Sequence, residues 1–308
     1  MSDLGVKFQQ NIESVEDFTF EPIKGYPMLH WKGKRPFTST QFYPAQLKET
    51  YGEDTDGWMN KIFWGDNLQV MSHLLKEYRG QVDLIYIDPP FDSKADYKKK
   101  IEVRGKNATN DSTVFEEKQY TDIWSNDEYL QFMYERLILL RELLSDNGTI
   151  YLHCDWHKSH LLRCLMDEVF GADNLLNEIA WCYQGTGRSP KQYKRKHDTL
   201  LFYRKGPNWT FNAASIGLPF GEKQIKKFSG KDEIGYYKEY THADGKKYRK
   251  YLSEDDYLPI NDWWSDIYVI QDHSQRLGYP TQKPESLLER IIKASSNDNT
   301  SLKKLKLI

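Results

Sequence analysis

One tetrapeptide, Asp88-Pro89-Pro90-Phe91, carries the side chains in this sequence that are best suited to chemistry. Its two prolines fix the backbone φ angle and have no N–H group, so the turn is stiff and its carbonyl groups point in set directions. Asp88 offers acceptor oxygens and Phe91 offers a ring face. Together they could hold a flat molecule by an exocyclic amine, which would donate to Asp88 and to a proline carbonyl. Strands that end in a Pro-Pro turn are also common, and such a turn can be purely structural.

Histidines and cysteines that follow the next apolar run could suggest a metal site. They are His153, Cys154, His157, His160 and Cys164. The last three would lie near one face of a helix, but the first two precede it on a predicted strand. Because no regular zinc spacing is matched, we predict no metal and assign these residues to a strand end and a helix.

The hydrophobic pattern predicts the elements that position Asp88. Apolar runs typical of strands occupy residues 62–64, 82–87, 149–153, 179–183 and 199–203. Helical periodicity follows Asp66 and recurs over 127–144, 161–169 and 286–294. This alternation predicts an α/β fold with a mostly parallel sheet. Ligands bind beyond the carboxyl ends of the strands in such sheets, and Asp88 stands at one of those ends. Residues 1–60 predict an irregular arm, and the polar stretch 92–125 predicts a loop or lid.

Composition excludes several classes of protein. The 308 residues include 14% aromatic residues, which is unusual for a disordered chain. No apolar stretch approaches the twenty residues of a membrane span, so we expect no membrane contact. Three cysteines and an N-terminus without a secretory signal predict a cytoplasmic protein.

The formal net charge of −2 conceals a strongly basic segment. Between Gly185 and Asp255 the sequence has sixteen Lys and Arg residues against eight Asp and Glu residues, a charge of about +8 that leaves about −10 elsewhere. Tyrosines interleave these cations. The combination suits nucleic acid, although a solvated basic face would have the same composition.

Several pieces of the sequence, in order, resemble the adenine-N6 DNA methyltransferases. They are Trp-Gly-Asp-Asn-Leu at 64–68, Asp-Leu-Ile-Tyr-Ile-Asp-Pro-Pro-Phe at 83–91, Gly-Thr-Ile-Tyr-Leu-His at 148–153, Met-Asp-Glu-Val-Phe-Gly at 166–171, Arg-Leu-Gly-Tyr-Pro-Thr-Gln-Lys-Pro at 276–284, and the helix at 287–295. More closely, the order resembles the permuted beta class, which includes modification subunits of Type III restriction systems. The resemblance implies a Rossmann-like S-adenosylmethionine-dependent methyltransferase fold with permuted motif order. It divides the chain into an arm (1–60), a catalytic domain (61–184 and 266–308) and a target-recognition insert (185–265).

The resemblance also assigns roles to residues. Asp88, Pro89, Pro90 and Phe91 would hold an adenine that has been flipped out of the duplex. Hydrogen bonds from its N6 to Asp88 and to the Pro89 carbonyl would make that nitrogen more nucleophilic toward the methyl group of S-adenosylmethionine, the implied cofactor. The implied cofactor contacts are Asp66, Asn67, Asp88, Thr281, Gln282, Lys283 and Pro284. Asp66 could equally be a helix N-cap, and residues 281–284 a proline-stiffened turn.

The implied partner is double-stranded DNA, read by the basic insert. Candidate phosphate and base contacts are Arg188, Lys191, Lys194, Arg195 and Lys196. A restriction subunit and a second copy of the chain are further partners that the resemblance suggests.

Two departures from the family pattern limit what the resemblance implies. The tetrapeptide ends in Phe91 where Tyr is commoner. Asp88 favours adenine as the target, but a cytosine-N4 enzyme, which typically has Ser there, stays a lesser alternative.

The second departure is that no glycine follows Gly278, whereas the family pattern places a strand with Asp-Pro-Phe and a Gly-rich cofactor loop after the last helix. We therefore expect a truncated chain that lacks the central strands and binds the cofactor weakly or not at all. A non-catalytic DNA-binding remnant and a partner subunit of a restriction complex are the alternatives.

Overall fold

The computed structural model describes residues 14–20, 28–53, 59–90, 127–185, 189–270, 275–277 and 281–297, and the backbone alone of 96–101, 115–121, 126 and 304–307. The helices are α1 (Asn67–Tyr78), α2 (Asn126–Leu143), α3 (Ser159–Phe170), α4 (Ala213–Ile216), α5 (Glu222–Ile225) and α6 (Glu285–Ser295). The strands are β1 (Val82–Ile87), β2 (Asp96–Ile101), β3 (Phe115–Thr121), β4 (Leu144–Cys154), β5 (Leu175–Cys182), β6 (His197–Arg204), β7 (Leu218–Pro219), β8 (Gly230–Lys231), β9 (Tyr236–Thr241), β10 (Lys247–Tyr251), β11 (Tyr257–Leu258), β12 (Trp263–Trp264) and β13 (Lys304–Leu307).

A sheet of six described strands forms the centre of the fold, in the order β12-β5-β6-β4-β1-β13. The α/β class that the sequence predicts is confirmed. The prediction of a mostly parallel sheet is only partly right, because β6 runs antiparallel to both β4 and β5. The chain passes from β5 to β6 through a loop rather than a crossover helix, so the two strands must run in opposite directions.

Helices cover both faces of this sheet. Along β1, Ile85 and Ile87 face the cluster that contains buried side chains of α1, α2 and α3. Leu84 and Tyr86 face the opposite cluster, which contains the buried leucine and isoleucine of α6. This alternation of side chains between two apolar layers is what a buried strand requires. Among the described helices, none is long and apolar enough to cross a bilayer.

A close approach of backbone to backbone fixes β4 against β1. A Cβ at Gly148 would lie 2.9 Å from the carbonyl oxygen of Val82 and closer still to the side chain of Leu144. Only glycine fits there without displacing a strand, which explains the Gly148 that begins the predicted strand motif.

The stretch 62–64 is not a strand, contrary to the prediction. Ile62 and Trp64 are 98% and 91% exposed and pair with no described strand. A short apolar run becomes a strand only when a neighbouring strand satisfies its backbone groups. Here the position beside β1, opposite β4, is occupied by β13 in parallel register. No strand is predicted after the last helix, so β13 is a second difference.

In the polar stretch 92–125, predicted as a loop or lid, the described part forms an antiparallel pair of strands, β2 and β3. In the predicted arm, Val15–Asp17 form one 3-10 turn and residues 28–53 contain no helix or strand. Trp31 is buried nonetheless, and the ammonium of Lys34 lies 2.5 Å from Glu168 of α3.

The range 185–265 is not one separate layer. It includes β6, which lies inside the main sheet, and β12, which pairs with β5. Between them, β8, β9 and β10 form a three-stranded antiparallel sheet, and β7 pairs with β11. Residues 185–265, the predicted insert, thus include one strand of the main sheet, because the apolar run of β6 is buried between β4 and β5.

Candidate functional site

Asp88 lies immediately after β1, and its carboxylate is 7% exposed. The strand ends there because the two prolines that follow cannot donate to a neighbouring strand. Pro89 and Pro90 are half-buried. Phe91, the predicted ring face, lies outside the described residues. The acceptor that the tetrapeptide offers is thus held in a buried position at the carboxyl edge of the sheet.

Lys283 reaches this carboxylate from the loop that precedes α6. Its Nζ lies 2.5 Å from Asp88 Oδ2 and 3.3 Å from the carbonyl oxygen of Thr281. The lysine side chain is only 9% exposed. Two sequence motifs therefore meet at one buried ion pair. The first was assigned to the target base and the cofactor, and the second to the cofactor alone.

A histidine that the sequence analysis assigned only to a strand end lies next to this pair. The ring of His153 is buried on β4, and its Nδ1 is 4.0 Å from Asp88 Oδ1. The hydroxyl of Tyr86 lies 2.7 Å from the same nitrogen. On the other side of the ring, Nε2 is 3.1 Å from Asp198 Oδ2, and Asp198 Oδ1 accepts from the hydroxyl of Tyr183 at 3.1 Å.

The two tyrosines determine how protons are placed in this network. Burial raises the pKa of Tyr86 well above its usual value, and the carboxylates of Asp88 and Asp198 add to the effect. Burial and then the Asp198 charge raise the pKa of Tyr183 as well. Both hydroxyls therefore stay protonated, and that of Tyr183 donates to Asp198. If Tyr86 donates to Nδ1 of His153, the ring proton lies on Nε2 and is donated to Asp198.

Asp66 and Asn67, the predicted cofactor contacts, lie at the start of α1. Asp66 is the N-cap: its Oδ1 accepts from the backbone N–H groups of Leu68 and Gln69 at 2.9 and 3.3 Å. Its other oxygen accepts from Arg136 of α2 at 2.9 Å. The amide oxygen of Asn67 also accepts from Arg136. Arg136, which the sequence analysis missed, thus holds both side chains.

A cavity of about 20 Å³ separates this group from Pro89. Its walls include Asn67, Ile87, Pro89, Phe132 and Arg136, and the Arg136 guanidinium lies 3.4 Å from the centroid of the Phe132 ring. A volume of this size holds about one water molecule. The walls combine an aromatic face with an amide and a guanidinium beside the Asp88-Pro89 turn.

The other predicted residues of the loop before α6 serve that loop. Gln282 Oε1 accepts from the backbone N–H of Leu277 at 2.8 Å, and its Nε2 donates to the carbonyl of Gln275 at 2.6 Å. Pro284 is the residue that precedes the first turn of α6. Gln282 and Pro284 therefore act as parts of a proline-stiffened turn. Among the described side chains of this loop, that of Lys283 alone contacts Asp88.

The predicted DNA contacts lie in the loop between β5 and β6. Lys191, Lys194 and Arg195 are exposed and Lys196 is half-buried. Arg188 lies outside the described residues. The Arg195 guanidinium is 3.5 Å from the ring centroid of Trp156, which follows β4.

The histidines and cysteines near α3 go to separate partners. Cys154 Sγ is 3.6 Å from the carbonyl oxygen of Thr199, and His157 Nδ1 is 2.5 Å from Asp155. All three cysteines are free. In the part of the chain that is described, no group of three such side chains could hold a metal ion.

A family model for N6 and N4 methyltransferases, described as DNA methylase, matches residues 82–301. The chain belongs to this DNA methylase family. The match spans both partners of the Asp88–Lys283 pair and most of the sequence, so the resemblance drawn from the motifs is confirmed at the level of the family.

Relatives of this DNA methylase include a Type II methyltransferase and Mod subunits of Type III restriction-modification enzymes. The chain is 26% identical over 285 residues to the Type II methyltransferase M.EcaI of Enterobacter cloacae, covering 77% of this chain and 60% of the relative. It is 26% identical over 209 residues to the EcoP15I Mod subunit of Escherichia coli, a Type III enzyme, covering 58% of this chain and 31% of that subunit. The chain thus spans less than two thirds of either relative. The solved M1.HpyAVI–SAM complex aligns with a TM-score of 0.42 at 16% identity, over 81% of this chain and 83% of that one.

Proposed function

We propose that this chain carries the target-base and DNA-binding parts of a DNA methyltransferase that methylates N6 of adenine in duplex DNA within a restriction-modification system. The observation that carries the proposal is the Asp88 carboxylate, buried at the carboxyl edge of the sheet and paired with Lys283. The three free cysteines suit a reducing cytoplasm.

The Asp88 carboxylate can serve an exocyclic amine while it stays paired. An ionised carboxylate has about four acceptor positions. Lys283 takes one on Oδ2, and Oδ1 faces His153 at 4.0 Å without a direct hydrogen bond between them. An N6–H of adenine could therefore donate to Asp88 and the other N–H to the Pro89 carbonyl. Both bonds would draw the nitrogen toward a pyramidal, nucleophilic form. Extruding the base costs a few kcal/mol of free energy, which the new contacts with the protein must offset.

S-adenosylmethionine is the cofactor that we propose, and when bound it supplies the methyl group. The oxygens of Asp66 and Asn67 and the ring of Phe132 suit the hydroxyl groups and the base of an adenosine. We propose that these side chains, together with the loop before α6, form part of the cofactor site.

DNA and protein partners follow from the same assignment. We propose that the insert, between β6 and β12, and the loop before β6 contact duplex DNA through their cations. A restriction subunit and a second copy of the chain are the protein partners that relatives of the Mod type suggest.

The product identifies the target atom. DNA incubated with the chain and S-adenosylmethionine at millimolar concentration is digested to nucleosides, which are separated by mass spectrometry. We expect N6-methyl-2′-deoxyadenosine among the nucleosides. Methylation of cytosine at N4 alone would replace the adenine assignment, while leaving the family assignment intact.

A further inference from the structure

An almost fully exposed aromatic ring projects from the loop between β5 and β6. Tyr193 is 97% exposed, more than any other tyrosine among the exposed large hydrophobic residues of the described chain. From Ser189 to His197 the sequence is Ser-Pro-Lys-Gln-Tyr-Lys-Arg-Lys-His, with four cations and no acidic residue. A flat ring among cations is the combination that stacks on nucleic-acid bases while the charges contact phosphates.

The strand register places this loop at the same edge of the sheet as Asp88. β1 and β4 are parallel, with Ile87 beside Leu152. β6 is antiparallel to β4, with Thr199 beside Cys154, and β5 ends beside the start of β6. The loop therefore begins three strands from β1 and ends two strands from it, about 10–15 Å away at the usual spacing between strands.

The base of the loop is closed at this edge. The Arg195 guanidinium stacks 3.5 Å from the centroid of Trp156. The backbone N–H of Tyr183, which follows β5, donates to the carbonyl of Lys196, which precedes β6, at 2.9 Å. Within the loop the hydroxyl of Ser189 donates to the carbonyl of Gln192 at 2.7 Å. Tyr193 thus projects from a short span whose base is held beside the edge that carries Asp88.

We propose that Tyr193 enters the base stack of duplex DNA at the gap that the extruded nucleotide leaves. This inference rests on the proposed function, because it needs a base to leave the helix. Extrusion unstacks two neighbouring base pairs, and a flat side chain inserted between them restores part of the lost stacking. The cations on either side of Tyr193 would neutralise the phosphates that flank the gap. Tyr193 is then a DNA-contacting residue that stabilises the extruded state.

Binding to duplexes with and without a central abasic site tests this directly, without knowledge of the recognition sequence and without cofactor. An abasic site presents the gap in advance, so the full chain should bind that duplex about tenfold more tightly than the intact one. Tyr193→Ala should remove this preference and change affinity for the intact duplex by less than about twofold, while Tyr193→Phe should retain it. Tyr51→Ala is the matched control, because Tyr51 is 81% exposed but lies beside Glu49 in the arm.

Each other result contradicts the inference. Equal binding of the two duplexes by the wild-type chain, or an unchanged preference in Tyr193→Ala, overturns the role of Tyr193 and leaves the proposed function standing. An equal loss of affinity for both duplexes in Tyr193→Ala makes the ring a general contact and also overturns it. If the wild-type chain binds neither duplex, the DNA partner of the proposed function fails first, and the inference fails with it.

Discussion

Lys283 Nζ lies 2.5 Å from Asp88 Oδ2, although the two residues are 195 positions apart in the chain. Both side chains are more than nine-tenths buried. The pair fastens the loop before α6 to the end of β1, so the position of the proposed target-base acceptor depends on a lysine from the other end of the domain. Removing one partner would leave a buried charge without its counter-ion.

Replacement of Lys283 by Met should destabilise the fold strongly. We expect Lys283→Met to lower the free energy of unfolding by about 3 kcal/mol, since it leaves Asp88 charged and buried. Asp88→Asn combined with Lys283→Met should recover part of that loss, because no charge then remains. Urea unfolding measures both. The control is Lys293→Met, which removes an exposed ion pair with Glu289 on the same helix and should change little. Equal losses in the single and double variants would contradict the account of the pair.

Stability at alkaline pH should depend on Tyr86. Folding raises the pKa of this hydroxyl, so the folded state keeps a proton that the unfolded state loses above about pH 10. The stabilisation is therefore complete below pH 10 and is lost as the pH rises through the folded-state pKa. Above pH 10 the free energy of unfolding of Tyr86→Phe should fall less steeply with pH than that of the wild type. The difference in slope should be up to about 1.4 kcal/mol per pH unit. Urea unfolding between pH 8 and 11 measures the slope, with Tyr236→Phe, an exposed tyrosine, as control. An identical slope in the wild type and Tyr86→Phe would contradict the proton placement.

Salt dependence of DNA binding should identify the cations that contact phosphates. Alanine at Lys191, Lys194 or Arg195 should each reduce the slope of log affinity against log salt by about 0.9. These three side chains are exposed at the edge of the sheet that carries Asp88. Lys76 is also exposed, but it lies near the end of α1 that leads into the start of β1, at the opposite edge. A Lys76→Ala variant that lowers the slope as much as the loop variants would show that binding is not confined to the Asp88 edge.

Hydrophobic periodicity was sufficient for a buried strand and for helices that pack against the sheet. The strand 82–87 and the helices over 127–144 and 286–294 lie within two residues of β1, α2 and α6. The run 62–64 failed because apolar composition does not provide a pairing partner, and Ile62 and Trp64 are exposed instead. The predicted parallel arrangement failed for β6, which runs antiparallel to β4, because periodicity contains no information on the relative direction of neighbouring strands.

The sequence indicated several residues of the candidate site but not the contacts between them. Asp88 and Lys283 were both identified, yet local sequence contains no information that joins positions so far apart. His153 and Asp198 were missed as partners. The sequence did contain a signal for His153, which directly follows Thr-Ile-Tyr-Leu in a strand predicted to be buried. A polar ring that is buried in a strand requires hydrogen-bond partners. Arg136 gave no signal, since an arginine in a helix is ordinarily at the surface.

Transfer of a tritiated methyl group to duplex DNA tests the central assignment of Asp88 most directly. The wild-type chain, Asp88→Ala and Asp83→Ala are compared at millimolar S-adenosylmethionine. Asp83 is the matched control: it lies on the same strand about 16 Å away and accepts from Ser145 at 2.9 Å. We expect Asp88→Ala to lose about 100-fold in rate with duplex affinity changed less than about twofold, and Asp83→Ala to retain activity. Transfer by Asp88→Ala at the wild-type rate, or no transfer by the wild-type chain, would contradict the account.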